Sequence, residues 1–345
     1  MAELDNLSAL SCASRTLKQE ILGFDFNYPL EIDSAAGPRD SLRYYLYSDK
    51  LSWETLRMDS AGIPRAWVRV TGTNYWPGFI AWYALVQLGH YLRGKGAQHL
   101  DSFLKQIDWL ENHAVLRGDG AVVWPMNFDN PENEVLLRAP WISSHAQGLA
   151  ISAVLRGWRV TKRPHLRELL EKAWLPFDLD VSQGGIRARV NGASFYTEVP
   201  GGAVPGILDG FMTSLLGLYD LYTEFEDEEV GRLLRAGIAG LKQLLPYWNY
   251  RQKWSWYGAR QYLCSPAYHC LNRLLLATLG ALTGDLEFKQ CAERWNPANR
   301  SFLERTEIYL GFVITKNLAR IRHRTWLQKT ACPPSAIPTS GVQHT

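Results

Sequence analysis

ILDGFMTSLLGLYDLYTE, residues 207–224, has its large apolar side chains at the spacing of a helix. They recur at i, i+4, i+7, i+8 and i+11, which places them on one face. These residues are Phe211, Leu215, Leu218, Tyr219 and Tyr222. A second amphipathic segment, EEVGRLLRAGIAGLKQLL (228–245), follows after a short polar connection. Two helices joined so closely pack side by side in opposite directions, so the sequence predicts an antiparallel αα-hairpin here.

The same arrangement recurs along the chain. The other predicted helix pairs are 78–93 with 98–112, 144–161 with 165–174, and 269–282 with 285–295. Successive pairs begin roughly 60 to 65 residues apart, which indicates a repeated supersecondary unit. Hairpins that close around an axis form an α/α toroid. We therefore expect a mainly α fold, an incomplete α/α barrel of antiparallel helical hairpins.

Segments with strand and turn character separate the helix pairs. They are 115–129, 183–199 and 246–261, and two of them contain the hairpin turn signals GDG and NG. In a toroid such connections gather at one end, so we expect β-hairpin loops to line a cleft there. Residues 1–74 form a small N-terminal segment with short strands, 75–300 the toroid, and 301–345 a basic helical extension with a disordered tail.

The overall composition favours a carbohydrate ligand over a nucleic acid. The formal charge is only +3, and no block of Lys and Arg marks a nucleic-acid surface. The 14 tryptophans suit a large core or a groove that stacks against sugar rings. We expect an anionic polysaccharide as the partner, and the sequence leaves self-association as a homodimer open.

No cofactor or metal is predicted. The five cysteines form no CxxC pair, and the eight histidines form no HExxH motif. Phosphate-loop and dinucleotide-binding fingerprints are absent from the sequence. The N-terminus has no apolar core of a signal peptide, and the longest apolar run, 274–284, is too short to span a bilayer. These features predict a soluble, cytoplasmic protein without a membrane span.

Two segments stand out as candidates for chemistry. WSWYGARQYLCSPAYH (254–269) contains three tyrosines, an arginine and a histidine but no carboxylate. Among the acidic residues of the connecting segments, Glu198 in FYTEVP is set between apolar neighbours, which would raise its pKa toward the range useful for proton transfer. The acids considered are Asp119, Asp129, Glu132, Glu134, Asp178, Asp180 and Glu198. The others have ordinary surface or turn explanations.

The motifs around these segments resemble the C-terminal domain of D-glucuronyl C5-epimerases. That family has the motif N-G-F-M-x-S-L-x-G-L-Y-D-L. In this chain, residues 209–221 read DGFMTSLLGLYDL, so the motif matches except that Asp209 replaces the first asparagine. WISSHAQGLAISAVLRGWRVTK (141–162) is similar to the family segment P-W-x-S-x-x-A-Q-G-x-A-I-S. The resemblance covers residues 75–300. It implies an α/α toroid and the conversion of D-glucuronate to L-iduronate in a heparosan-like chain, without a cofactor.

The resemblance also implies roles for individual residues. Glu198 and Tyr268 would flank the sugar ring as the acid/base pair, Tyr257 would assist them, and Arg260 would hold the substrate carboxylate. The remaining substrate-binding positions would be His269, Gln147, Trp141, Asn74 and Tyr75.

The chain departs from the family directly after Glu198. A tyrosine stands there in the family and Val199 stands here, so the task of that phenol would pass to Tyr196 or Tyr257, or the activity would differ. A uronate lyase remains an alternative, because it begins with the same abstraction of the C5 proton. An inactive glycan-binding toroid is a second alternative. A hydrolase is the least favoured, since the sequence offers no convincing pair of acids.

Overall fold

A computed structural model of the chain describes residues 21–28, 30–33, 41–47, 57–68, 71–132, 134–258 and 260–330. The tail that is predicted to be disordered, 330–345, lies outside these residues apart from position 330. Within them, the four predicted helix pairs are all present. They are α1 (Pro77–Leu92) with α2 (Gln98–His113), α3 (Ser144–Thr161) with α4 (Pro164–Leu170), α6 (Leu208–Phe225) with α7 (Glu228–Leu244), and α8 (Pro266–Thr283) with α9 (Leu286–Arg294).

Two helix boundaries differ from the sequence prediction by more than one residue. Helix α4 ends at Leu170 and is followed by a short helix α5 (Leu175–Asp178). Helix α8 begins at Pro266, three residues before the predicted start, because proline at the first helical position after Ser265 favours a helix start there. Tyr268 and His269 therefore lie in the first turn of α8.

The hairpins form an arc with one helix of each pair on the inside. Helices α1, α3, α6 and α8 pack against one another in this order, and α2, α4, α7 and α9 each pack on the outside of their partner. The inner helices α3 and α6 are buried along most of their length, whereas α2 buries only one face. This arrangement confirms the predicted mainly α fold, an incomplete α/α toroid.

Two glycines allow the central inner helices to approach closely. A Cβ atom at Gly148 of α3 would lie 2.5 Å from the Cα of Ser214, and one at Gly217 of α6 would lie 2.6 Å from the carbonyl oxygen of Gly148. No side chain fits at either position, so the backbones of α3 and α6 touch. The AQG and GLYDL motifs are therefore packing motifs of the toroid.

Antiparallel β-hairpins connect the helical pairs, as predicted. The strands are β6 (Val115–Leu116), β7 (Val122–Val123), β8 (Asn130–Glu132), β9 (Val135–Leu137), β10 (Arg187–Val190), β11 (Ala193–Tyr196), β12 (Asn249–Tyr250), β13 (Trp254–Tyr257) and β14 (Tyr262–Leu263). Asn191 and Gly192 join β10 to β11 with positive φ angles of 50° and 82°, as expected for a two-residue hairpin turn. The β8–β9 hairpin was not predicted.

The N-terminal segment contains short strands, also as predicted. They are β1 (Glu31–Ile32), β2 (Leu46–Tyr47), β3 (Arg57–Met58), β4 (Pro64–Val68) and β5 (Gly72–Asn74), and they form one two-stranded and one three-stranded antiparallel sheet. A buried polar network fastens this segment to the inner helices. Tyr45 donates a hydrogen bond to Asp220 at 2.6 Å, and Arg156 forms an ion pair with the same carboxylate at 2.7 Å.

The C-terminal extension is helical over α10 (Phe302–Thr330). It packs against β14 through a small apolar cluster that contains Trp254, Leu263, Ile308 and Phe312. No helix in the described part of the chain has the length and apolar character needed to cross a membrane.

Candidate active site

A cavity of about 300 Å³ opens where the inner helices begin. Its helical walls come from the first two turns of α1, α3, α6 and α8, so four helix N-termini surround it. The connecting loops complete the lining. The lining residues are Trp76, Phe79, Trp82, Asn130, Glu132, Trp141, His145, Leu149, Glu198, Val199, Asp209, Thr213, Tyr257, Tyr268 and Leu271. Helix N-termini carry partial positive charge, which favours an anionic ligand at this end of the toroid.

Aromatic rings form one side of the cavity. Trp76 contacts Trp141 edge-to-face, with ring centroids 5.9 Å apart, and lies 5.2 Å from Phe79. Trp141 is held in place because its indole N–H donates to the carbonyl oxygen of Phe128 at 2.9 Å. These rings present flat apolar faces to the cavity.

Glu198 reaches the cavity across the N-terminal turn of α6. A Cβ atom at position 210 would collide with its Oε2 atom, so only glycine at that position leaves room for this side chain. Burial, followed by the nearby charges of Asp209 and Glu132, raises the pKa of Glu198 well above its usual range. Burial also raises the pKa of Asp209 to about 6 and that of Glu132 to about 6. These three carboxyl groups therefore hold protons at a higher pH than ordinary acids.

Two of the predicted tyrosines meet at the same cavity. The rings of Tyr257 and Tyr268 contact edge-to-face with centroids 5.2 Å apart, and Tyr262 stacks on the other side of Tyr257 at 4.8 Å. Burial, reinforced by the neighbouring tyrosines and carboxylates, raises the pKa of Tyr257 well above 10, so its phenol is neutral at physiological pH. Tyr268 is 40% exposed. The structure thus brings Glu198, Tyr257, Tyr268 and Trp141 together.

Three other predicted residues are buried in packing positions outside the cavity. Tyr196 packs between Phe177 and Phe211, and its hydroxyl donates to the carbonyl oxygen of Leu233 at 2.7 Å. The side-chain amide of Gln147 donates to two backbone carbonyl oxygens at 2.8 Å each. His269 is fully buried, stacks on Trp254 and has its Nε2 atom 2.8 Å from the carbonyl oxygen of Trp295. Their contacts are those of residues that hold the fold.

The last three predicted residues also lie outside the cavity. The guanidinium of Arg260 donates to the carbonyl oxygens of Tyr247 and Pro246. The Tyr75 hydroxyl donates to Asp59 at 2.7 Å, and the amide of Asn74 donates to Thr71 and Gly72. Trp76, which follows Asn74 and Tyr75 in sequence, does line the cavity.

Several cavity residues were missed by the sequence analysis or set aside in it. Asp209 stands where the family motif has asparagine, and this difference in the sequence could have indicated an additional carboxyl group at the site. Glu132 was considered and explained as a surface acid. The aromatic run of Trp76, Phe79 and Trp82 at helical spacing was an available signal as well. Burial lowers the pKa of His145 to about 4, so its imidazole is neutral at physiological pH.

The described side chains show no obvious metal site. Among them, no group of three or more His, Cys, Asp and Glu residues is arranged to hold a metal ion. Cys264, Cys270 and Cys291 are free and buried.

Comparisons with known proteins identify relatives over the same part of the chain. The model of the family described as D-glucuronyl C5-epimerase C-terminus matches residues 118–297, more than half of the chain, and confirms the resemblance seen in the motifs. A D-glucuronyl C5-epimerase of Caenorhabditis elegans is 30% identical over 218 residues, which cover 57% of this chain and 35% of that protein. The match thus spans about a third of the length of that relative.

Two further matches are weaker. An uncharacterized protein of Methanocaldococcus jannaschii is 23% identical over 219 residues, covering 59% of this chain and 70% of that protein. Among solved structures, the GH76 α-mannanase of Bacteroides thetaiotaomicron superposes with a TM-score of 0.43 and 12% identity, over 70% of this chain and 65% of that chain.

Proposed function

The chain belongs to the family of the D-glucuronyl C5-epimerase C-terminus, and from this premise we propose that it inverts C5 of glucuronate residues in a heparosan-like polysaccharide. The observation that carries the proposal is the composition of one cavity. Glu198, Tyr257 and Tyr268 come from separate elements, and they meet there beside an aromatic wall.

The reaction requires groups that can remove and return a proton on opposite faces of the sugar. The C5 proton lies next to a carboxylate, so its removal leaves an enolate-like dianion that must be stabilised. In its ionised form, Glu198 accepts the C5 proton, and the electron pair of the broken C–H bond moves into the substrate carboxylate. The N-termini of the inner helices and the neutral phenol of Tyr257 stabilise the resulting charge.

Tyr268 completes the inversion. Its hydroxyl donates a proton to C5 on the opposite face, which forms the new C–H bond and leaves a phenolate. Because Tyr268 is 40% exposed, this phenolate regains a proton from water. Glu198 releases its proton to water, so both groups return to their starting states. Arg260 has no part in this sequence, since its guanidinium is bonded to carbonyl oxygens away from the cavity.

The test is incubation of heparosan with the full chain in D₂O, followed by NMR. We expect deuterium at C5 together with iduronate signals. The Tyr268→Phe variant should lose iduronate formation, whereas Tyr91→Phe, a substitution at an exposed site on α1 away from the cavity, should retain it. Absence of exchange in every glucuronate polymer would contradict the proposal. An unsaturated product that absorbs in the ultraviolet would identify a lyase instead.

A further inference from the structure

Asp209 lies next to Glu198, and neither carboxyl group is fully paired. Glu198 packs against Gly210, the residue that follows Asp209 in the first turn of α6. Both Glu198 Oε2 and Asp209 Oδ1 are buried without a hydrogen-bond partner among the described residues. Asp209 is only 6% exposed, and both residues line the cavity.

No cationic side chain lies beside this pair in the described part of the cavity. None of the described lining residues is Lys or Arg. The titratable groups that face the pair or interact with it electrostatically are Glu132, His145, Tyr257, Tyr268 and Cys264. The positive charge of Lys316 in α10 interacts with Glu132 and Cys264. At physiological pH, His145 and Tyr257 are neutral because of burial. They therefore do not balance a second negative charge.

Two carboxyl groups in one buried site cannot both ionise readily, because each negative charge disfavours the other. The two carboxyl groups then lose their protons in two separate steps, and the pKa of each step describes the pair and not one residue. The pKa values of Glu198 and Asp209 are shifted in the direction that this repulsion requires. Burial raises the pKa of Asp209 to about 6, and burial together with the charge of Asp209 raises the pKa of Glu198 well above its usual range.

Building on the proposed function, we propose that Asp209 is a positioning residue for proton transfer, because its carboxyl group and that of Glu198 share one proton over the working pH range. The pair then carries a single negative charge. One oxygen serves as the base, and the retained proton limits repulsion of the substrate carboxylate.

The proton balance of the step is simple. The singly protonated pair takes up the C5 proton and becomes neutral, while the electron pair of the C–H bond moves into the substrate carboxylate. Release of one proton to water restores the pair. A doubly ionised pair would repel an anionic sugar, and a doubly protonated pair could not act as a base.

Infrared spectroscopy of the full chain tests the shared proton without depending on activity. Protonated carboxyl groups have a C=O stretch separate from the carboxylate bands. With ¹³C-labelled Asp and Glu, wild type should retain such a band at pH 7. In Asp209→Asn, the pH at which the last such band disappears should fall by roughly 1 unit or more. Asp101→Asn, at an exposed site on α2, should leave it unchanged.

Two additional measurements keep the proposal falsifiable. If Asp209→Asn does not fold, Glu198→Gln probes the pair from the other side, and the remaining carboxyl group should then titrate at lower pH than the last proton of wild type. For wild type, the rate of C5 exchange plotted against pH should be bell-shaped, and its falling limb should reflect loss of the second proton from the pair. Asp209→Asn has only one carboxyl group at this place and should lose that limb.

An unchanged infrared midpoint in Asp209→Asn, or no carboxyl band in wild type at pH 7, would overturn the shared proton. Absence of C5 exchange in wild type would instead contradict the epimerase activity and leave the infrared result standing. The two failures can therefore be distinguished.

Discussion

Helix α6 carries two buried aspartates in opposite circumstances. Asp220 is 4% exposed, forms an ion pair with Arg156 at 2.7 Å and accepts a hydrogen bond from Tyr45 at 2.6 Å. Asp209 is 6% exposed, faces the cavity and leaves one oxygen without a partner among the described residues. Both have phenols nearby, yet only the first carboxylate is neutralised.

The difference separates a structural site from a chemical one. A buried ion pair with its hydrogen bonds satisfied is costly to disrupt, and it holds the N-terminal segment on the inner helices. A buried carboxyl group without a counter-charge is instead a group whose protonation can change during a reaction. The two ends of α6 should therefore respond differently to mutation.

The largest effect is expected for Glu198→Gln at the cavity end. Removal of a general base typically lowers a rate by about 10² to 10⁴-fold, and C5 exchange measured by NMR should fall by this amount. The variant should still fold, with an unchanged circular dichroism spectrum. Glu168→Gln, at an exposed site on α4, serves as the control. Full activity of Glu198→Gln would remove this residue from the proposed mechanism.

A loss of stability is expected at the other end of α6. Asp220→Asn leaves Arg156 buried without its counter-charge, which should lower the free energy of unfolding by about 3–5 kcal/mol. Urea denaturation followed by tryptophan fluorescence measures the change, with Asp101→Asn as the control. A loss below about 1 kcal/mol, as for an exposed ion pair, would mean that the two aspartates are not distinguished by their pairing.

The pH dependence of stability gives a third contrast. The folded-state pKa of Asp209 is raised from 3.8 to about 6, so the folded chain binds more protons than the unfolded chain between these pH values. The stabilisation that protonated Asp209 gives to the folded state is therefore full below about pH 4 and is lost as the pH rises through about 6. Since one pKa unit corresponds to about 1.4 kcal/mol, Asp209→Asn should be more stable than wild type at pH 7 by roughly 1–3 kcal/mol.

Denaturation curves of both proteins at pH 5 and pH 7 provide the measurement. The difference between them should grow with pH. If Asp209→Asn is instead less stable than wild type at both values, Asp209 is a structural residue like Asp220.

The helical framework was predictable because its information is local. The apolar stripe of 207–224 agrees with the observed helix Leu208–Phe225 to within one residue. Burial of that stripe needs a partner helix, and the short connection to 228–245 supplies one. Glu198 was also recognisable, since its apolar sequence setting in FYTEVP agrees with its burial in the fold.

The positions of the other side chains depend on the direction in which the backbone points them. Tyr268 and His269 are consecutive in α8, and a helix turns by about 100° per residue, so Tyr268 faces the cavity while His269 packs against Trp254. Tyr196 ends strand β11, and its side chain faces away from the cavity that Glu198 enters. A list of residue types in one segment does not contain this information.

Asp209 shows a second limit of sequence reasoning. The role proposed for Asp209 depends on the contact between the loop that carries Glu198 and the first turn of α6. Gly210 permits this contact because it has no side chain. The exchange of the family asparagine for aspartate is visible in the sequence. Its consequence requires knowing that a second carboxyl group lies beside it.

The smallest effect is expected for Arg260→Gln. Arg260 has a positive φ angle of 57°, and its guanidinium donates to the carbonyl oxygens of Tyr247 and Pro246, outside the cavity. Surface substitutions usually change the free energy of unfolding by less than about 0.5 kcal/mol, so the variant should fold normally. Because the Arg260 side chain does not line the cavity, kcat/KM for heparosan should change by roughly 2-fold or less. A rise in KM of about tenfold or more, equivalent to about 1.4 kcal/mol, would show that Arg260 turns to hold the substrate carboxylate. The helix N-termini would then not be sufficient to hold the substrate anion.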